Sequence, residues 1–444
     1  MKYIDIYQQI KEKIQLDIFL EGQKIPSIRS LAAEYECSID TIKRAIQLLV
    51  DDQLLYVKDR SGFYVLQKKR ALTSIKETDT IDFGSTKANL LTFPYDEFQL
   101  CLRKATENYK DELFEYGKSQ GLPELIRTLQ HWLTTQQLYT SENHLFITTG
   151  VQQALFILSR IHFPNQKKAI LIEMPSYHLM LDLLHLETIP YYTIDRNQHG
   201  LNWERLEYYF KEKDIKFFYT TSRISNPLGL SYTESEKKKL VSLAKKYDVY
   251  LVEDDYLADF VTSTNNFPLH FYDDSEHVIY LKSFAKIMFP GLRIGVCLLP
   301  TLLIDSFKQY RTLLEIDSSM FSQAALNLYI KSGMFDHQVK QTKQLQDVRN
   351  KAFIQAAADS NLFHLNCFHS SKAFATLPKK VSKYQFEKNL ANHKIILDDI
   401  SKHFDTNNVP TENFYSLDLF NLTPDQIDSG IKRLITSYNE ASDN

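Results

Sequence analysis

From Ile81 onward, short apolar runs alternate with longer helical patterns, and this alternation limits the possible folds more than any other feature of the 444-residue chain. The alternation is typical of an α/β domain built on a largely parallel sheet. Ligands bind such sheets at the carboxyl ends of the strands, so polar residues that follow a strand become candidate site residues. The predicted strands are 146–149, 169–173, 215–221, 249–253 and 278–281.

The run YLKSFAKIMFPGLRIG (280–295) follows the last of these strands and carries Ser283, Lys286 and Arg293. A lysine close to a buried strand can lose solvation, which lowers its pKa and makes its amine a nucleophile. A hydroxyl and an arginine nearby can both hold a phosphate. Together these residues suit a Schiff-base lysine that binds pyridoxal 5′-phosphate. A surface loop with ordinary charges is the alternative.

Other predicted strands end in groups that suit the same cofactor. The turn at Gly150 opens a helix, so the Val151 N–H and the Gln152 side chain can form an anion site. Tyr177 can stack on a pyridine ring, although it could also serve only packing. The carboxylate of Asp254 can keep a pyridine nitrogen protonated. Donors from Asn226 and Tyr256 can hold a phenolate oxygen, and the predicted site therefore has a partner for each end of the cofactor.

The first 66 residues have a different pattern. Helical periodicity covers 3–18, a second helix opens at Pro26, and a third spans 39–50 with Ile42, Ala45, Ile46 and Leu49 on its inner face. Two short strands, 54–57 and 62–65, then form a hairpin. Helix, helix, recognition helix and hairpin make a winged helix-turn-helix. Lys43 and Arg44 on the outer face of the third helix can reach phosphates or guanine edges, and Arg29 can contact the DNA backbone.

Composition sets the context for these domains. The net charge is −3, with a slightly basic N-terminal part and an acidic remainder, which permits a small DNA-binding head on an acidic body. No apolar run reaches transmembrane length, and the N-terminus lacks the apolar core of a signal peptide. Cys37, Cys101, Cys297 and Cys367 are far apart, as expected of reduced packing residues in a bacterial cytoplasmic protein. The polar stretch 67–80 is a predicted linker.

The head resembles the GntR family of bacterial regulators through the runs PSIRSLAA (26–33), SIDTIKRA (38–45) and SGFYV (61–65). The resemblance implies binding to double-stranded operator DNA. The DNA-binding residues that follow from it are Ser27, Arg29, Ser38, Thr41, Lys43 and Arg44.

Residues 81–440 resemble the fold-type I aminotransferases through one ordered series of motifs: Tyr116, Gly150-Val-Gln, Pro-Ser-Tyr177, Asn226-Pro-x-Gly, Asp254-x-Tyr256, Ser283-x-x-Lys286 and Arg293. The resemblance implies that Lys286 carries pyridoxal 5′-phosphate and that Tyr116 reaches over from a second subunit. The large part of this domain is expected at about 125–330, and the small part at 81–124 and 331–444. Lys282 is a competing lysine, but no serine stands three positions before it.

A GntR-type head joined to an aminotransferase-like body is the architecture of the MocR/GabR regulators, which the whole chain resembles. The resemblance to those proteins implies a homodimer in which each head lies over the partner's body. The fold class expected is therefore α/β, with an N-terminal winged helix-turn-helix and a fold-type I transferase domain on a largely parallel sheet.

One departure from the aminotransferase pattern bears on function. Aminotransferases carry an arginine on a late strand that binds the substrate α-carboxylate, and Ser416 stands at that place here. Turnover of amino acids is therefore expected to be impaired. The effector expected is pyridoxal 5′-phosphate itself or an amine without an α-carboxylate. A working aminotransferase with an accessory head, and a scaffold that has lost both functions, are the alternatives.

Overall fold

The computed structural model describes residues 2–15, 18–20, 22–52, 54–58, 61–66, 79–84, 93–197, 199–263, 265–315, 318–358, 363–364, 372–405 and 413–442. The chain forms two compact units. The first comprises residues 1–75, 94–115 and 321–338, and the second comprises residues 76–93, 116–320 and 339–444. The head belongs to the first unit, and both larger sheets belong to the second.

The N-terminal head contains three helices and a hairpin: α1 (Lys2–Gln15), α2 (Ile28–Glu34), α3 (Ile39–Asp51), β1 (Leu55–Lys58) and β2 (Gly62–Val65). Ile42, Ala45, Ile46 and Leu49 of α3 are all buried, as the spacing predicts, against isoleucines of α1. The apolar stripe at steps of three and four holds the three helices around one core. The hairpin strands are antiparallel, with Leu55 opposite Val65.

The first helix ends earlier than the periodicity predicts. The prediction ran to residue 18, but α1 ends at Gln15 and Ile18 is 59% exposed. The backbone N–H groups of Ile18 and Phe19 both donate to the Lys13 carbonyl, so the chain turns away from the helix axis there. The apolar residue at position 18 continued the helical spacing without belonging to the helix.

The other elements follow in chain order: β3 (Ile81–Asp82), α4 (Tyr95–Tyr109), α5 (Pro123–Thr135), β4 (Leu145–Thr148), α6 (Val151–Arg160), β5 (Ala169–Met174), α7 (His178–Leu186), β6 (Tyr191–Asn197), β7 (Gly200–Leu201), α8 (Trp203–Glu212), β8 (Ile215–Thr220), α9 (Glu234–Tyr247), β9 (Tyr250–Asp254), β10 (Val278–Ser283), β11 (Gly295–Leu298), α10 (Ile304–Leu314), α11 (Met320–Lys331), α12 (Met334–Ala357), β12 (Phe363–His364), β13 (Lys372–Leu377), α13 (Lys383–Asn392), β14 (Ile395–Ile396), β15 (Asp398–Asp399), β16 (Asn413–Asp418) and α14 (Pro424–Ser442).

An eight-stranded sheet organises the second unit, in the order β4-β11-β10-β9-β8-β5-β6-β7. The five strands from β10 to β6 are parallel, and β11 runs antiparallel to both β10 and β4. All five strands predicted from the sequence lie in this sheet. Their residues are buried on both faces by two separate apolar clusters, which explains why they read as continuous apolar runs.

A smaller antiparallel sheet, in the order β12-β13-β16-β15, carries the C-terminal part of the second unit. Across β13 and β16, Lys372 is opposite Asp418 and Phe374 is opposite Ser416. A third apolar cluster, which includes Phe83 and Leu417, packs this sheet. A Cβ on Gly430 of α14 would come within 2.6 Å of the Phe83 ring, so the helix can approach this closely only with glycine there.

Several expectations concern residues outside the described ranges. Residues 67–78 of the predicted linker and Cys367 lie there. Cys37, Cys101 and Cys297 are free thiols. No helix within the described ranges is long and apolar enough to cross a membrane.

Candidate functional site

A cavity of about 330 Å³ lies in the second unit, at the carboxyl ends of the parallel strands. Nine of the ten predicted cofactor residues line it: Val151, Gln152, Tyr177, Asn226, Asp254, Tyr256, Ser283, Lys286 and Arg293. The tenth, Tyr116, is 85% exposed and does not line the cavity. The sequence series therefore converges on one site within a single chain, apart from the residue expected to act across a dimer.

Lys286 lies in the turn between β10 and β11, with its amine inside the cavity. The pKa of Lys286 is lowered to about 8, mainly by burial; the Asp418 carboxyl group opposes this shift and the nearby Lys372 adds to it. A lowered pKa leaves more of the neutral, nucleophilic amine at neutral pH.

Lys282, the competing lysine, does not line this cavity. It lies on β10 with its side chain 1% exposed, and it forms an ion pair with the buried Asp259. Its ammonium also lies 5.1 Å from the centre of the Trp132 ring. Its place is therefore structural, and of these two lysines only Lys286 lines the cavity.

Asp254 is at the end of β9 and is buried. Its Oδ2 accepts a hydrogen bond from the Tyr219 hydroxyl at 2.7 Å, but its Oδ1 has no hydrogen-bond partner among the described residues. Burial raises the pKa of Asp254 to about 7, against the hydrogen bond from Tyr219. Its neighbour Asp255 is held by Arg223 and the Tyr280 hydroxyl and takes no part in the cavity lining.

The hydroxyl of Tyr256 is a second polar atom in the cavity that is buried without a hydrogen-bond partner in the described part of the chain. Burial also raises the pKa of Tyr256 well above its usual value, so the hydroxyl keeps its proton and can donate it. Asn226 lies beside it on the cavity wall, and the Asn226 Oδ1 accepts from Lys372 Nζ at 3.3 Å. A buried polar atom without a partner is costly, and a ligand that supplied one would gain that energy.

The turn at Gly150 and the N-terminus of α6 form the other end of the cavity. Gly150 has φ +91°, a conformation that favours glycine, and it places the first N–H groups of α6 at the cavity wall. Arg293 lies at the same place, with its Nη2 donating to the Thr149 carbonyl at 2.8 Å. A Cβ on Gly295 would come within 2.9 Å of the Gly150 backbone, so this approach also requires glycine. The positive guanidinium and the helix N-terminus together suit a phosphate.

Tyr177 lies at the N-terminus of α7, half-buried in the cavity wall between these two ends. Burial raises the pKa of Tyr177 to about 12, although the hydrogen bond with Gln152 opposes this shift. Ser283, the last residue of β10, accepts from the Ala285 N–H at 3.2 Å, and its hydroxyl remains able to donate. The cavity thus offers a ring-sized wall and an anion-binding end. Four side-chain atoms of its lining residues are buried without a hydrogen-bond partner in the described chain: His178 Nδ1, Asp254 Oδ1, Tyr256 Oη and Asp418 Oδ2.

Sequence reasoning missed several residues that line the same cavity: His178, Tyr219, Lys372, His403 and Asp418. Tyr219 is near the carboxyl end of β8, so the rule that found Asp254 also covers it. Lys372 and Asp418 belong to the smaller sheet, where only the strand register brings them together. Ser416, which stands in the sequence where the substrate-binding arginine was expected, lines the cavity as well.

In the head, five of the six candidate DNA-binding residues, all but Thr41, divide into two groups. The Ser27 side chain accepts from the Ser30 N–H and the Ser38 side chain from the Thr41 N–H, so both serines cap helices. Arg29, Lys43 and Arg44 are exposed. Lys43 lies 3.9 Å from Asp40, a surface pair too weak to hold it. The two exposed cations of α3 are therefore available to DNA phosphates.

Comparisons with known proteins agree with this geometry. Residues 89–406 match the family model "Aminotransferase class I and II", and residues 2–65 match "Bacterial regulatory proteins, gntR family". The chain is 40% identical to the HTH-type transcriptional regulator YcxD of Bacillus subtilis, over 98% of this chain and 99% of the relative. It is 26% identical to the HTH-type transcriptional regulator NorG of Staphylococcus aureus, over 74% of this chain and 80% of NorG.

Among solved structures, the chain is similar to the kynurenine aminotransferase of Pyrococcus horikoshii, which was solved in complex with PMP. The TM-score is 0.74 at 25% identity, and the match covers 82% of this chain and 92% of that one.

Proposed function

The chain belongs to the aminotransferase class I and II family and joins that domain to a gntR-type helix-turn-helix, and from this premise we propose that it is a transcription regulator that binds pyridoxal 5′-phosphate through Lys286. Its architecture is that of the MocR-type regulators. The proposed ligand is pyridoxal 5′-phosphate, its proposed attachment point is Lys286, and the proposed response is a change in DNA binding.

The observation that carries the proposal is that two of the buried atoms without hydrogen-bond partners in the described chain, Asp254 Oδ1 and Tyr256 Oη, belong to residues that line one cavity with Lys286. Asp254 would hold the protonated pyridine nitrogen, and Tyr256 and Asn226 would hold the phenolate oxygen. Val151 N–H, Gln152, Ser283 and Arg293 would hold the phosphate, with Tyr177 against the ring. When bound, the cofactor supplies an aldehyde that captures primary amines and a ring that withdraws electrons.

The wall of the cavity supports an effector without an α-carboxylate. Ser416 can donate one hydrogen bond, whereas an arginine would offer a two-bond fork. Lys372, a cation on the strand paired with that of Ser416, lies 3.9 Å from Asp418, which compensates its charge. Amino acids would therefore bind weakly, and pyridoxal 5′-phosphate or a simple amine is the proposed signal. A working aminotransferase is the second candidate, and sustained keto-acid production from an amino acid would favour it.

The head supplies the proposed output. As a homodimer, the protein would present two copies of α3 to successive major grooves of double-stranded DNA. Tyr116, which is exposed and outside the cavity of its own chain, is available to a second subunit, as the resemblance implied. The protein is proposed to work in the bacterial cytoplasm. A titration of DNA binding against pyridoxal 5′-phosphate tests the whole proposal.

Replacing Lys43 and Arg44 together with alanine is expected to weaken DNA binding by roughly 10- to 100-fold and to reduce its dependence on salt, because two phosphate or base contacts are lost. Fluorescence anisotropy with a duplex selected by the protein from a random pool measures both effects. The matched control is Lys211→Ala with Lys238→Ala, which removes two exposed lysines of the second unit. Equal weakening by both pairs would contradict a recognition role for α3.

A further inference from the structure

Lys372 is a buried cation with no counterpart in the sequence motifs. It opens β13 and is 3% exposed. Asp418 lies opposite it on β16, with 3.9 Å between the Lys372 Nζ and the Asp418 Oδ2. The hydrogen bond from the Lys372 Nζ at 3.3 Å goes to the Asn226 Oδ1, on a loop 146 residues earlier in the chain. A buried ammonium is costly, so its placement beside the cavity calls for a role.

The contact with Lys372 decides which way the Asn226 amide faces. An ammonium group can only donate hydrogen bonds, so it must meet the amide oxygen and not the amide nitrogen. The reversed orientation would set two donors against each other beside a buried charge. With its oxygen held by Lys372, Asn226 keeps its Nδ2 hydrogens for the cavity that both residues line. The amide is therefore fixed as a donor before any ligand enters.

We propose that Lys372 is a positioning residue, which holds Asn226 as a hydrogen-bond donor to the phenolate oxygen of the cofactor. The inference rests on the proposed function and adds to it a residue that acts through another. Asp418, on the neighbouring strand, compensates the charge of Lys372 from 3.9 Å without forming a hydrogen bond to it. An arrangement set in advance lowers the cost of binding, because Asn226 need not be reoriented when the ligand enters.

The position of Lys372 also sets it apart from a carboxylate clamp. A lysine is a point charge with three donors, whereas an arginine at position 416 would present a planar fork. Lys372 already has one acceptor in Asn226 and a second partner in Asp418. A ligand carboxylate would have to displace Asn226 and would then face the Asp418 carboxyl group. Lys372 therefore acts on the cofactor through Asn226 and does not replace the missing arginine.

A double-mutant cycle between Lys372→Met and Asn226→Ala tests the proposal in the full-length protein. The dissociation constant for pyridoxal 5′-phosphate, measured by absorbance titration, is expected to rise about tenfold in Lys372→Met. In the Asn226→Ala background the same change is expected to have less than about a twofold effect, because its partner is already gone. Lys372→Arg keeps a donor-only cation and should bind within about threefold of the wild type.

The control is Lys383→Met. Lys383 does not line the cavity and is paired with Asp399 at 2.8 Å, so its loss should leave the affinity unchanged. If Lys372→Met unfolds, Lys372→Gln replaces it, since a glutamine no longer fixes the amide direction and should weaken binding similarly. Additive effects of Lys372→Met and Asn226→Ala, no rescue by Lys372→Arg, or an equal loss in Lys383→Met would overturn the proposal. A wild-type protein that does not bind the cofactor would overturn the proposed function, and this inference with it.

Discussion

Replacing Lys286 with alanine is expected to abolish the visible absorption band of the protein mixed with pyridoxal 5′-phosphate. It should also raise the dissociation constant on the order of 100-fold or more, because covalent capture needs the primary amine of Lys286. The cavity offers this amine in a reactive form, since burial lowers the pKa of Lys286 to about 8. The polar contacts from Asp254, Tyr256 and Arg293 would remain, so some reversible binding should survive. Spectrophotometric titration of wild type and variant measures both effects.

Borohydride reduction followed by peptide mass mapping gives the control for this result. In the wild type, a single phosphopyridoxyl group is expected on the peptide that contains Lys286. Modification of Lys372, Lys282 or surface lysines instead would contradict the assignment. An unchanged band in Lys286→Ala would contradict it as well.

Replacing Lys282 with methionine is expected to destabilise the second unit by about 3–5 kcal/mol while leaving the visible band in place. Lys282 and Asp259 form an ion pair whose side chains are 1% and 3% exposed. Removing the lysine would leave the Asp259 carboxyl group buried without its partner. The two lysines, four residues apart, should therefore differ: loss of Lys282 should lower stability and spare cofactor binding, whereas loss of Lys286 should abolish covalent cofactor binding.

Urea unfolding, monitored by tryptophan fluorescence, measures the change in the free energy of unfolding caused by Lys282→Met. Both tryptophans, Trp132 and Trp203, belong to the second unit, and Trp132 lies beside Lys282. The matched double variant, Lys282→Met with Asp259→Leu, removes both charges and should recover much of the lost stability. A loss below about 1 kcal/mol in Lys282→Met, the size of a surface pair, would show that the pair is not desolvated as the structure has it.

The large sheet and most of the candidate site were predictable because their signals are local. Each strand that is buried on both faces appears in the sequence as a continuous apolar run. The carboxyl-end rule then brings Asp254, Tyr256 and Lys286 together without any knowledge of the strand order. The capping box of Thr233 and Glu236 at the start of α9 is likewise a local feature. These features need only neighbours in sequence and one rule of topology.

The remainder depends on pairings that the sequence does not display. Lys372 and Asp418 meet through the register of two antiparallel strands, and Lys372 then reaches Asn226 on a distant loop. The predicted end of α1 was wrong because Ile18 continues the apolar spacing of the helix although its backbone is no longer helical. The roles of Ser27 and Ser38 as helix caps, by contrast, are local features of the kind that a sequence displays.

The measurement that tests the account most directly is the affinity of the full-length protein for a selected DNA duplex, titrated with pyridoxal 5′-phosphate at fixed salt. The wild type is expected to change its DNA affinity as the cofactor binds, over the same concentrations that produce the visible band. Lys286→Ala, which keeps an intact head, is expected to bind DNA with no such response over that range. A DNA affinity that stays constant while the visible band saturates would contradict the claim that the aminotransferase-like body controls the head.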